Sequence, residues 1–248
     1  MVEDNDKEDQ GVRLNKYIAN SGLCSRRAAD EIIKQKRVKI NNKLVSEMGY
    51  KVRLGDVVTV DNKPINAEGK VYVLLNKPRN TISTRKDERG RKTVMDLLPK
   101  KWSHLYPVGR LDRNTTGVLL ITNDGNVTNA LLHPSKKIKK VYKAKIKNRL
   151  SQEELDLLVT GVELEDGVSK FNKIVELHED NEFRYGIEIH SGKNRIVRRM
   201  FESIGNEVVK LDRVLFHNFD RRGIKRGDFR ELKPREVTNL INQLNLKK

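Results

Sequence analysis

The stretch VGRLDRNTTGVLLITNDG, residues 108–125, decides how the rest of this chain is read. Gly109 and Gly117 permit backbone conformations that other residues rarely adopt, so the apolar run at residues 118–121 reads as a strand entered through a sharp turn. Asp112 stands in that turn between Arg110 and Arg113. A carboxylate so placed serves either a structural salt bridge or chemistry beside the strand, and these residues alone leave both open.

Working outward, VYVLLNKP (residues 71–78) reads as a strand stopped by Pro78. Residues 79–92 are nearly free of apolar side chains and rich in arginine and lysine, which predicts a mobile basic loop. Further strands are expected at 105–113, 141–146, 173–177 and 183–190. Short helices are expected at 126–132 and 194–204, and a last one after Pro234. Ser151 caps a helix through Val159, with Glu154 three residues on completing a capping box. Toward the amino terminus, Leu14, Tyr17 and Ile18, then Ala28, Ala29, Ile32 and Ile33, recur at helical spacing around a turn at Ser21-Gly22. Val38 and Ile40, the pair Asn41-Asn42, and Leu44-Val45 alternate as a hairpin does. The fold class is therefore α+β: a small α+β module, then a mainly antiparallel sheet with flanking helices. The predicted boundaries are a frayed acidic tail at 1–10, the module at 11–62, a linker at 63–70 and the large domain at 71–248.

The chain has 248 residues, and its 51 lysines and arginines against 34 acids give a formal charge of +17, which points to a polyanionic partner. No apolar run approaches the roughly 18 residues of a membrane span. The polar amino terminus does not resemble a secretory signal, so the cytoplasm is expected. Cys24 is the single cysteine, and the five histidines lack metal-site spacing, so no metal is expected. Residues 186–194 approach a phosphate-binding loop, but five residues separate the glycines and asparagine replaces the magnesium-binding hydroxyl.

Residues 13–43 hold nine basic residues and two acids, a balance of +7. A solvated helix face interleaves acids at i and i+4, and in this segment only Asp30 and Glu31 do so. Arg13, Lys16, Arg26, Arg27, Lys34, Lys36 and Arg37 are candidate phosphate contacts. With few aromatic residues nearby, contact to the backbone of folded RNA suits the module better than base stacking. Arg85 and Arg89 of the basic loop, Arg110, Arg113, Lys193 and Arg195 extend the candidate RNA-binding set. Lysines 136, 137, 139, 140, 143, 145 and 147 form another basic run, whereas residues 152–188 hold eleven acids and three basic residues. That contrast predicts one basic and one acidic side of the large domain.

Gly109-Arg110-Leu111-Asp112 followed by Thr116-Gly117-Val118-Leu119-Leu120 resembles the signature of the RsuA/RluB family of RNA pseudouridine synthases. Residues 12–60 resemble the RNA-binding domain named after ribosomal protein S4, which that family carries at its amino terminus. Lys140-Val141-Tyr142 is similar to the second family motif, and residues 191–200 (SGKNRIVRRM) to the third, with Ile196 where glutamine is common. The resemblance implies that Asp112 is the catalytic carboxylate, that Tyr142 sits in the active site to stack on uracil and assist proton transfer, and that Arg198 pairs with Asp112. It implies ribosomal RNA as substrate, with the large subunit preferred, and no cofactor. A small-subunit target and a non-catalytic ribosome-assembly factor are the alternatives, and a monomer is expected. The chemistry suits these residues: the glycosidic bond breaks, the ring turns, and carbon 5 joins the anomeric carbon without redox change. Asp112 can act as nucleophile or as base, held ionised by a guanidinium. The target base must leave its stack to be reached.

Overall fold

The computed structural model describes residues 11–66, 69–179 and 182–246, so the tail expected at 1–10 lies outside the described residues. The chain divides between Lys70 and Val71 into two compact units.

In the smaller unit β1 (Val12–Arg13) leads into α1 (Leu14–Asn20) and then α2 (Arg26–Lys34). Ser25 starts α2 because its hydroxyl accepts the Ala28 amide at 3.2 Å, satisfying a donor that a first helical turn leaves open. Leu14, Ile18, Ala29 and Ile33 are buried against Val38, Ile40, Val58 and Val60. Five short strands follow: β2 (Val38–Ile40), β3 (Lys43–Leu44), β4 (Lys51–Val52), β5 (Val58–Val60) and β6 (Lys63–Ile65). β1 pairs with β4, and the others form a sheet of order β3-β2-β5-β6. Asn41 and Asn42 take φ of 49° and 64°, as a two-residue hairpin turn requires. Asp61 and Asn62 repeat this at 50° and 62° and fold β6 onto β5. The expected linker therefore starts later than residue 63, and Pro64 is tolerated because β6 is an edge strand.

The larger unit contains β7 (Tyr72–Lys77), β8 (Tyr106–Pro107), β9 (Thr116–Thr122), α3 (Gly125–Leu132), β10 (Lys140–Ile146), α4 (Gln152–Thr160), β11 (Lys173–Glu179), β12 (Glu182–Ile189), α5 (Ile196–Glu202), β13 (Val208–Phe216), β14 (Phe219–Asp220), β15 (Phe229–Glu231) and α6 (Pro234–Gln243). Its strands make one nine-stranded sheet along the path β11-β12-β10-β13-β9-β7-β15, with β14 on β13 and β8 on β9. The two halves of this sheet are buried differently. β7 and β9 lie between two cores, one containing Leu74, Val118, Leu120, Leu131 and Phe216, the other Val73, Leu75, Leu119, Ile121 and Trp102. Burial on both faces explains why their sequences are continuously apolar. β10 and β12 carry a core on one face only, where Ala144, Ile146, Tyr185 and Ile187 pack with Leu158 of α4 and Met200 of α5. β12 alternates accordingly.

The halves join in the sheet where β13 runs parallel to β9, over the pairs Asp212 with Thr116 and Arg213 with Gly117. A Cβ on Gly117, whose φ is +111°, would lie 2.1 Å from the Arg213 carbonyl oxygen and 2.6 Å from its amide nitrogen. Two other expectations change. Of the strand expected at 105–113 only β8 forms, because Gly109 at φ 73° turns the chain into a loop. The basic loop 79–92 is closed at its base, where the Ile82 amide donates to Lys92 O and the Val94 amide to Ile82 O, each at 2.9 Å. Gly117→Ala combines left-handed strain with a backbone clash, a loss of about 3 kcal/mol or more. Thermal melting should show the larger unit unfolding on the order of 10 °C earlier.

Candidate active site

Asp112 lies in the loop between β8 and β9, and its backbone is held from two sides. Lys77, the last residue of β7, is fully buried. Its ammonium donates to the carbonyls of Thr115 at 2.8 Å, Asp112 at 3.0 Å, Pro78 at 3.1 Å and Arg113 at 3.3 Å. Burial pushes the Lys77 pKa down to about 8, while the Asp112 charge acts the other way. From the basic loop, the Ser83 hydroxyl accepts the Leu111 amide at 3.1 Å and donates to the Leu111 carbonyl at 2.9 Å. The residue beside Asp112 is thus clamped at both backbone polar groups.

The Asp112 carboxylate, 33% exposed, opens on a cavity of about 130 Å³ whose wall includes Tyr142, Arg195, Arg198, Leu211 and Arg213. A wider cleft of about 810 Å³ adjoins it past Leu132, His133 and His190. The sequence leads to Arg198 as the partner of Asp112, but the structure places Arg195 there, its Nη1 3.9 Å from Asp112 Oδ2. Arg195 takes a left-handed conformation (φ 46°) just before α5, a strained geometry of the kind found at functional sites. Arg198 instead donates from Nη1 to the Val208 carbonyl at 2.6 Å. Its pKa is lowered chiefly by burial and then by Arg195, with Asp112 opposing.

Tyr142 is half-buried on β10 in the wall of the cavity, directly across from Arg213 of β13. Arg213 is buried at 3% exposure. Its Nε donates to the Val118 carbonyl at 2.9 Å, and its guanidinium stacks on Phe216 at 4.4 Å. Two residues before Tyr142, Lys140 donates to the His190 carbonyl at 2.8 Å. Burial and the nearby Arg213 lower its pKa to about 8. Sequence reading missed Lys77, Ser83, Lys140 and Arg213 as site residues. A lysine closing an otherwise apolar strand, and an arginine between the inward residues Leu211 and Phe216, were the available signals.

Several expected RNA contacts have protein partners. Arg37 is bound by both oxygens of Asp61, and Lys34 by Glu31 at 3.0 Å. Arg85 donates to the Ser103 carbonyl at 2.9 Å and stacks on Tyr106. Lys193 is drawn to Asp166, Gly167 and Ser169. Arg13, Arg26, Arg27, Lys36, Arg89, Arg110 and Arg113 are exposed, and Lys16 is half-buried. The predicted separation of a basic and an acidic side does not hold. Acids of 152–188 neutralise basic neighbours instead: Glu182 with Lys145, Glu188 with Lys139, Glu176 with Arg149, and Asp166 with Arg199. Strand alternation also turns Lys143 and Lys145 to the face opposite Tyr142. Among the described residues, no group of three or more His, Cys, Asp or Glu could hold a metal, and no helix is long and apolar enough to cross a membrane.

A carboxylate in a basic, partly enclosed cavity with a tyrosine in its wall defines a site for an RNA-modifying enzyme. Residues 71–203 match the RNA pseudouridylate synthase family and residues 12–58 the S4 domain. The chain belongs to the RNA pseudouridine synthases, enzymes that isomerise uridine to pseudouridine. It is 45% identical over 231 residues to the ribosomal large subunit pseudouridine synthase B of Bacillus subtilis, covering 92% of this chain and 95% of that protein. An uncharacterized RNA pseudouridine synthase of Aquifex aeolicus is 36% identical, with 95% and 96% covered. A crystal structure of a pseudouridylate synthase superposes with a TM-score of 0.65 at 28% identity, covering 92% of this chain and 99% of the other.

Lys77→Met keeps the length of the side chain but leaves the four carbonyls of the Asp112 loop without their donor. The unpaired acceptors outweigh relief of a buried charge, so stability should fall by about 2 kcal/mol. Turnover on a uridine-containing RNA should fall about tenfold as the loop loosens. Thermal melting and single-turnover rates measured on one preparation check both.

Proposed function

We propose that this protein isomerises a uridine of large-subunit ribosomal RNA, with Asp112 as the catalytic carboxylate. One observation carries the assignment: among the described residues Asp112 alone presents a carboxylate to the cavity, on a backbone fixed by Lys77 and Ser83. The name of the Bacillus relative supports the large-subunit target. Arg195 at 3.9 Å faces the carboxylate, and Arg198 adds positive charge on the same wall. Asp112 then either attacks the anomeric carbon or the ring, or removes the ribose 2′ proton, while Tyr142 supports the turning base. The exposed Arg13, Arg26, Arg27 and Lys36 of the S4 unit hold RNA by its phosphates, leaving chemistry to the larger unit. A cytoplasmic location and a monomeric state belong to the same proposal.

Asp112→Asn removes the charge with little change of shape. Conversion of uridine in large-subunit RNA, read by nucleoside analysis, should fall below detection while RNA affinity stays within about threefold. Activity within tenfold of wild type removes Asp112 from the chemistry, and modification of small-subunit RNA alone refutes the target. Arg27→Glu combined with Lys36→Glu should weaken RNA binding and lower the slope of log affinity against log salt by about one for each phosphate no longer neutralised. Lys34→Glu should do less, because Glu31 already engages that lysine.

A further inference from the structure

Arg213 is a buried cation that the structure leaves without an anion. Among the described residues no carboxylate pairs with it. Asp212, its chain neighbour, is taken by Arg226 at 2.9 Å, Arg221 at 3.3 Å and the Thr116 hydroxyl at 2.6 Å. Lys140, the other cation close by, adds positive charge rather than relieving it. The guanidinium is fixed by the Val118 carbonyl and the Phe216 ring and interacts with the Tyr142 hydroxyl, and its buried Nη2 has no hydrogen-bond partner. Taking a guanidinium out of water in this way is costly unless an anion completes its surroundings. The same residue lines the cavity that holds Asp112, directly across the ladder from Tyr142. An occupant of that cavity therefore meets a preformed positive charge as well as the aspartate.

We propose that Arg213 stabilises the negative charge that develops on the uracil ring when its bond to the ribose breaks. The proposal rests on the assignment of Asp112 made above. When Asp112 works at the sugar, the N1–C1′ bond breaks and both electrons stay with the base, spread over N1, O2 and O4. Carbon 5 then bonds to C1′ as the Asp112–C1′ bond breaks, or, where Asp112 took the 2′ proton, as that proton returns to C2′; the proton on carbon 5 leaves and N1 takes up a proton, so the product is an isomer. When Asp112 adds to carbon 6 of the ring instead, an enolate forms there, and the Asp112–carbon 6 bond breaks again once C1′ has passed from N1 to carbon 5. Each route makes the ring anionic, and a fixed cation in a cavity shielded from water acts most strongly where charge appears. Arg195 and Arg198 do not fill this place, since one faces Asp112 and the other is bound to the Val208 carbonyl.

The test compares the full-length wild type, Arg213→Gln, Arg213→Lys and Asp112→Asn on one RNA carrying either uridine or 5-fluorouridine at the modified position. Single-turnover loss of the target nucleoside at saturating enzyme is the readout, beside RNA affinity and thermal melting. Fluorine withdraws electrons and so stabilises the ring anion by itself. With uridine, Arg213→Gln should slow the reaction about 100-fold or more and Arg213→Lys about tenfold, with affinity nearly unchanged. With 5-fluorouridine both deficits relative to wild type should shrink severalfold. Equal deficits on the two substrates, or none, would overturn the proposal and leave Arg213 as a support of the sheet junction. If Arg213→Gln does not fold, Arg213→Lys decides by the same ratio. Asp112→Asn should be inactive on both substrates; activity in that variant breaks the assignment of Asp112, a failure distinct from equal deficits at Arg213.

Discussion

Everything in the larger unit hangs on the closeness of two backbones at Gly117 and Arg213. The two half-sheets are each antiparallel and each has its own core. They become one sheet through a parallel contact two residue pairs long, which exists because nothing projects from position 117. A contact so short lets the strands part immediately beyond it. Beside this junction lies the cavity lined by Asp112, Tyr142 and Arg213. The residue that closes the junction by its main chain thus also lines the cavity by its side chain.

The interior around the junction is unusually rich in cations. Lys77, Lys140 and Arg213 are all withdrawn from water, and burial lowers the pKa of each. Main-chain carbonyls answer the two lysines, four around Lys77 and two around Lys140. These two charges fix loops: Lys77 fixes the turn bearing Asp112, and Lys140 fixes the chain at His190, which leads into the third motif. Arg213 differs in that its buried Nη2 has no hydrogen-bond partner. Because the scaffold of the site is positive before any RNA arrives, the protein is preorganised for an anionic guest.

What the sequence reveals of this arrangement follows the range of the interactions involved. The Asp112 loop is legible because its glycines, its aspartate and the following strand are contiguous. The S4-type unit is legible because helix periodicity and the Asn41-Asn42 turn are local signals. The β6 hairpin needed only the recognition that Asp61-Asn62 repeats the earlier asparagine turn. Pairings that depend on register were not legible. Arg198 and Arg195 are three residues apart on one motif, and only the left-handed backbone at Arg195 decides which of them turns to Asp112. Lys193 reads as a free cation until the fold brings Asp166, 27 residues away, across it. The apparent sorting of basic and acidic segments along the chain likewise dissolves once antiparallel pairing sets them side by side.

The clamp between Ser83 and Leu111 divides the basic loop into two parts with different freedom to vary. Thr81, Ser83 and Thr93 are buried, and the ladder that joins Ile82 to Lys92 and Val94 fixes where the loop leaves and rejoins the body. Residues 85–91 beyond this neck are bound chiefly among themselves, as in the pairing of Arg91 with Asp87, apart from the anchor of Arg85. Insertions or deletions between residues 86 and 91 can therefore be absorbed at the tip, whereas a single residue gained or lost between 81 and 83 shifts the hydroxyl that grips the neighbour of Asp112. The outer arc can thus change length without disturbing the site, whereas the inner arc is structurally a part of the catalytic turn.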